Sequence, residues 1–548
     1  MTSKEQERNV RPDWRLKLAH WLRFGGQKAA FEKSGLFLVV AMLIGIATAC
    51  LAHFMVAGVE FLSDFCFSGS QAIEEEGNPW GKPLFIFLLT YLGIMIASWI
   101  RRIFSAPKSL TSLIYGLNRY RSSVPNHEIW SHVLSSIFSV GFGGSAGLEA
   151  PGVLTGTAIA STCSDLFCIR GRSKTILVGC GAAAAISAIF RSPVAGVLFT
   201  VEALLPSLPV SVLVALTISS ASAYFFMTEY FGNTSLYYLA RIVPFESNIL
   251  WTIILCAFVC AYVGALFIRL TAKIGGIMKK VTQKNAFFSR LAVLLLCGLL
   301  LAFPHLRGQG HSFVEALLYA DAEDVVADME KWSSLLSPAL LLGITLATAI
   351  LLKPLASVMS IELGDGGIFA PTLFIGAVTG FIFARLVNLS GWAVLPEGNF
   401  AALGMCGVFA AVMRSPLTAI FLVIETTHGF SLTVPLMFVS SIAWFIGHYM
   451  EPNSIYRRPL ARASLVSDDR VRSTLMNIPV PMCMKPVDGQ DDESLPTIRE
   501  DAGGAAALEL MEKNGCDELI VVNEKGQKLG RVAKRDILEK YLASTVNR

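Results

Sequence analysis

From Gly35 to Val59 the chain carries no Asp, Glu, Lys or Arg. An apolar run of that length can span the hydrocarbon core of a bilayer. Inside lipid every backbone N–H and C=O must find a partner within the protein, which leaves helices or closed barrels. Further apolar runs follow: one from Pro83 to Arg101-Arg102, then 176–201, 210–228, 247–268, 291–303 and 332–352. With 53% hydrophobic and 16% charged residues among 548, the expected class is an all-α polytopic membrane protein. Several runs are short or interrupted, so tilted and broken helices are expected, with irregular backbone buried in protein.

Charge sets the orientation. Residues 1–33 hold eight Lys or Arg against four acidic residues, and Arg457, Arg458, Arg462, Arg470 and Arg472 follow the last apolar run. Basic flanks mark the cytoplasmic side, so both termini are expected there, in a plasma (inner) membrane. Trp14, Leu18, Trp21 and Leu22 fall at helical spacing among basic residues, which suits a surface-lying amphipathic helix over 1–33. A net charge of only +4 gives no case for nucleic-acid binding. The cysteines are scattered through apolar runs without Cys-x-x-Cys spacing and read as small core residues, with no metal site.

Two stretches break the apolar pattern. Residues 144–156 read Gly-Ser-Ala-Gly-Leu-Glu-Ala-Pro-Gly-Val-Leu-Thr-Gly, with Glu149 the single charge. Residues 364–376 repeat the frame: Gly364, Gly367, Ala370, Pro371 and Gly376 match Gly144, Gly147, Ala150, Pro151 and Gly156, and Phe369 stands where Glu149 stood. Ala-Pro after glycine suits a loop that opens a helix, and the free amides of a helix start favour an anion. A second block repeats in the same order. Phe190-Arg191-Ser192-Pro193 returns as Met413-Arg414-Ser415-Pro416, and each proline leads at equal distance to a glutamate, Glu202 or Glu425. Paired glycine-broken helix starts in two halves of a membrane protein point to a binding site where the halves meet.

After Tyr456 the composition turns soluble. A helix is expected over Thr497–Asn514, a strand over 518–523, a turn and strand over 525–532, and a helix over 536–542, a small α+β module. The expected domains are 1–33, a membrane domain over 34–465, and a tail over 466–548.

These residues resemble the CLC family of chloride channels and chloride/proton antiporters. Gly147-Leu-Glu-Ala-Pro151 resembles the family's gating-glutamate loop, Gly367-Ile-Phe-Ala-Pro371 its second anion-coordinating loop, and Tyr456 the tyrosine that touches the central anion. The tail resembles one CBS repeat. The resemblance implies an inverted-repeat bundle of broken helices, a homodimer with one pore per subunit, and chloride or another small anion as cargo. It makes Glu149 the gate and places Gly147, Leu148, Ile368, Phe369 and Tyr456 around the anion. Two positions depart from the family. Lys108, within Pro107-Lys-Ser-Leu-Thr111, reads by itself as a basic flank after Arg101 and Arg102 that snorkels to the headgroups, whereas the resemblance puts it in the place of a pore serine. Ala203 replaces the inner glutamate that antiporters use to pass protons. An ammonium in the pore would draw anions strongly and could pair with Glu149 until acid protonates it. Passive pH-gated conduction is therefore expected ahead of chloride/proton exchange. A membrane-embedded enzyme using Glu149 as a base would need a nucleophile or metal cluster, and the eight histidines form none with Asp in the sequence. No cofactor is expected beyond an adenine nucleotide at the CBS-like module.

Overall fold

The computed structural model describes residues 35–75, 81–104, 110–118, 123–169, 171–205, 212–232, 237, 249–320, 325–326, 337–462, 478–485, 495–523 and 526–546. The expected N-terminal helix over 1–33 and Lys108 lie outside these residues. The chain divides into two compact units, 1–456 and 457–548. The first unit ends at Tyr456, where the composition changes.

In the first unit, helices α1 (Gly35–Glu75), α2 (Gly81–Phe104), α3 (Leu110–Asn118), α4 (Glu128–Gly141), α5 (Glu149–Leu166), α6 (Arg172–Phe190), α7 (Pro193–Phe199) and α8 (Leu213–Phe231) form one half. The other half runs α9 (Leu250–Lys284), α10 (Ala286–Ala302), α11 (His311–Tyr319), α12 (Pro338–Leu363), α13 (Phe369–Ser390), α14 (Glu397–Met413), α15 (Pro416–Thr427) and α16 (Thr433–Met450). The halves pack alike. α5 lies on α6 as α13 lies on α14, and α8 closes on α1 as α16 closes on α9. Among the described residues seven helices are long and apolar enough to cross a membrane, and shorter apolar helices such as α10, α14 and α15 accompany them.

The repeated small residues explain the close packing. A Cβ on Gly156 would lie 2.3 Å from the carbonyl oxygen of Gly181, and one on Gly376 would lie 2.6 Å from that of Gly404. Only glycine lets those backbones meet, and it does so at the same crossing in both halves. The apolar run 176–201 is not one helix. Arg191 (φ 56°) ends α6 in the left-handed region and Pro193 opens α7, as Arg414 (φ 62°) and Pro416 do between α14 and α15. The run expected to end at residue 352 continues through Lys353 and Pro354 to Leu363. It can continue because Lys353 is buried with acceptors of its own.

The second unit holds a three-stranded sheet in order β1 (Thr497–Arg499), β2 (Glu518–Val522), β3 (Lys528–Ala533). β1 pairs parallel to β2, and β3 antiparallel to it. Helices α18 (Gly504–Asn514) and α19 (Lys534–Val546) complete the module, and a short α17 (Arg458–Arg462) precedes it. The core gathers Val480, Ile498, Met511, Leu519, Val521, Val532 and Ile537. The helix expected from Thr497 thus begins only at Gly504. Thr497-Ile498-Arg499 joins the sheet instead, because Ile498 is drawn into the core beside Val521.

Candidate functional site

The two glycine-rich loops meet. The amide of Gly147 donates to the carbonyl of Gly367 at 2.9 Å, and the amide of Gly367 donates back to Gly147 at 2.7 Å. This antiparallel bridge brings the starts of α5 and α13 face to face. Leu148 and Ile368, the residues just before each helix, share one conformation (φ −96°, ψ −4° and φ −99°, ψ 2°). Sequence identity between the loops has become geometric equivalence.

Glu149 begins α5 and is 1% exposed. Its Oε1 accepts a hydrogen bond from the amide of Ala370 at 2.8 Å, in the first turn of α13, and its Oε2 has no partner among the described residues. The carboxylate of one half thus occupies the amide-rich helix start of the other, where an anion is favoured. Glycine makes the room. A Cβ on Gly147 would lie 2.0 Å from Oε2, and one on Gly367 would lie 2.5 Å from it.

Phe369 is also 1% exposed; its ring stacks on Phe190 at a centroid distance of 5.2 Å and meets Phe199 and Phe409 edge-on at 5.3 and 4.4 Å. Tyr456 is buried, and its hydroxyl has no hydrogen-bond partner among the described residues. Both Tyr456 and Tyr237 lie close enough to Glu149 to feel its charge. Tyr237 in turn meets His311, whose Nδ1 lies 2.8 Å from its hydroxyl. The structure therefore gathers Gly147, Leu148, Glu149, Ile368 and Phe369 at one crossing, with Tyr456 nearby.

Ala203 is buried in the π-helical turn Thr200–Leu204 that extends α7. Its neighbour Glu202 turns to the other half. The Glu202 carboxylate accepts from the amides of Leu417 and Thr418 (3.1 and 2.9 Å) and from the Thr418 hydroxyl (2.6 Å), capping α15. Glu425 returns the contact, accepting from the amides of Val194 and Ala195 at 3.1 and 3.0 Å at the start of α7. Reciprocal caps are what a two-fold relation between the halves produces.

Sequence reading missed several buried charges. Lys353 is fully buried, donates to the carbonyls of Leu306 and Gly308 at 3.1 and 3.3 Å, and stands 4.6 Å above the ring of Phe374. Among the described residues no carboxylate pairs with it. His132 and Asp365 pair with each other, joining α4 to the second glycine loop. A charged residue inside an apolar run was the available signal for Lys353. Its partners are remote in sequence, so nothing local marked them.

Reciprocal loops, a carboxylate seated at a helix start and a soluble tail module define a membrane transport protein built from two inverted halves. Residues 93–448 match the voltage gated chloride channel family, and residues 491–543 match the CBS domain. The chain belongs to that family, the CLC proteins, and is a multi-pass integral membrane protein of the anion-transport class. It is 28% identical over 346 residues to the H(+)/Cl(−) exchange transporter ClcA of Vibrio vulnificus, covering 61% of this chain and 69% of that one. It is 27% identical over 335 residues to a protein of Ralstonia nicotianae named for its likeness to the chloride channel protein ClcB, covering 60% and 73%. The crystal structure of a slow cyanobacterial Cl−/H+ antiporter shares the fold, with a TM-score of 0.68 and 22% identity over 80% of this chain and all of that one.

Proposed function

We propose that this protein is a CLC-type chloride channel gated by Glu149 and opened by acid. The carrying observation is the carboxylate seated on the Ala370 amide where the two loops cross. Helix-start amides bind an anion, so the Glu149 carboxylate and chloride compete for one positive potential. Protonation removes the charge that holds the side chain there, and chloride takes its place. The anion passes Gly147, Leu148, Ile368 and Phe369, with the hydroxyl of Tyr456, unpartnered among the described residues, as a donor. Lys108 adds positive charge to the path and pairs with Glu149 when the gate is closed. The protein works as a homodimer with both termini in the cytoplasm of a plasma (inner) membrane, and an adenine nucleotide is a candidate ligand of the CBS module.

A second reading is chloride/proton exchange, supported by the exchange activity in the names of relatives such as ClcA. Against it stands Ala203, which cannot carry a proton. Anion flux from proteoliposomes with simultaneous pH recording separates the two. A channel moves chloride without driving protons uphill, and stoichiometric proton movement against its gradient refutes the channel. Glu149→Gln is expected to raise flux and abolish most of its pH dependence. A mutant that still switched with pH as the wild type does would dismiss Glu149 as the gate.

A further inference from the structure

The second glycine loop is gripped from one side by the first half. Asp365, in the same turn as Gly367, is buried. Its Oδ2 lies 3.0 Å from Nδ1 of His132 and accepts from the hydroxyl of Ser135, and its Oδ1 accepts from the amide of Gly366 at 2.8 Å. The amide of Asp365 itself donates to the hydroxyl of Ser139 at 3.3 Å. Next to it the carbonyl of Gly364 accepts from the guanidinium of Arg101, which also donates to the carbonyl of Ile361 at 3.0 Å. Arg101 comes from α2 and His132, Ser135 and Ser139 from α4, all of them buried. A buried carboxylate with this many donors has one place to be. What it anchors is the turn that presents Gly367 to Gly147 and the Ala370 amide to Glu149.

We propose that Asp365 is a positioning residue for the gate, and that Arg101, His132, Ser135 and Ser139 form with it a clasp that fixes the seat of Glu149. Asp365 acts through the loop; the contacts run from its carboxylate through Gly366 and Gly367 to the Ala370 amide. The proposal rests on Glu149 being the gate. The titratable and charged groups around the clasp are Arg101 on α2, Glu128 and His132 on α4, and Asp365 itself. Among the described residues, the ionisable groups that feel the charge of Glu149 are Tyr237 and Tyr456; Lys108, proposed above to pair with Glu149, lies outside them. A clasp that only stabilised the fold would leave the pH response of the gate alone. One that sets the seat changes it, because a loosened Ala370 amide holds the charged carboxylate less well and the side chain leaves at higher pH.

The experiment is anion flux against pH in proteoliposomes for wild type, Asp365→Ala, Asp365→Asn, Glu149→Gln and the Glu149→Gln/Asp365→Ala double variant. Asp365→Ala is expected to move the activation midpoint toward neutral by about one pH unit, the scale of one charge-assisted hydrogen bond. Asp365→Asn keeps an acceptor for the Gly366 amide and is expected to restore part of that shift. In the Glu149→Gln background the Asp365 substitution is expected to add no pH effect. A monodisperse Asp365→Ala protein with the wild-type midpoint, beside a pH-insensitive Glu149→Gln, overturns the clasp alone. A Glu149→Gln protein with the wild-type pH response overturns the gate reading and the clasp with it. Should Asp365→Ala not fold, His132→Phe and Ser135→Ala each remove one donor to the Asp365 carboxylate and are expected to shift the midpoint in the same direction. Unchanged midpoints in both overturn the proposal.

Discussion

At the scale of single residues, the seat of Glu149 depends on two hydrogen atoms that stand where side chains would be. Gly367→Ala places a methyl group 2.5 Å from the carboxylate oxygen, so the carboxylate must leave. Flux at neutral pH is expected to rise toward that of Glu149→Gln, and the two substitutions together are expected to do no more than either alone. Proteoliposome flux at pH 7 checks this, and additive effects would contradict a shared cause. Lys353→Met keeps the volume but strips the donor from the carbonyls of Leu306 and Gly308. The Leu306 carbonyl is buried, and leaving it unpaired costs about 1–3 kcal/mol, so the variant is expected to aggregate at a lower temperature than wild type on heating in detergent. The contrast between these residues explains what could be read in advance. Glu149 and Phe369 were legible because glycine, alanine and proline recur at fixed spacing around them. Lys353, His132 and Asp365 were not, since each finds its meaning in a partner from another segment; His132 and Asp365 lie 233 positions apart.

At the scale of elements, hydropathy located the spans, but the repeated Arg-Ser-Pro was legible only as a repeat and not as the point where α6 gives way to α7 and α14 to α15. Hydropathy did not reveal that α12 would run past a lysine and a proline, because tertiary acceptors neutralised the signal that should have ended it. Nor did pattern alone separate β1 from α18. Three residues carry little periodicity, and pairing with β2 decided their fate. The capping glutamates give the sharpest test at this scale. Glu202→Ala frees two amides at the start of α15 and is expected to cost about 0.5–2 kcal/mol, read as earlier thermal inactivation. Glu202→Gln retains one acceptor oxygen and is expected to lose less. Both carboxylate oxygens of Glu202 are committed to α15. Glu202→Gln is therefore expected to leave proton movement unchanged, which simultaneous pH recording would show.

At the scale of the whole molecule, the two compact units have separate cores, so damage in one is expected to stay there. Leu519, fully buried in the tail module, is the test position. Leu519→Ala is expected to cost about 2–5 kcal/mol. In calorimetry of the full chain it is expected to lower one thermal transition and leave the other in place, with anion flux at the permissive temperature unaltered. The membrane unit has no such internal independence, because the reciprocal caps tie its halves to the order of synthesis. Val194 and the glutamate that caps it are 231 positions apart. A ribosome adding roughly 5–20 residues per second leaves that helix start open for on the order of ten to fifty seconds. During that interval the first half sits in the bilayer unfinished, and it is completed only when nearly all of the second half has emerged. Two halves that repeat one another in sequence are therefore expected to mature only together.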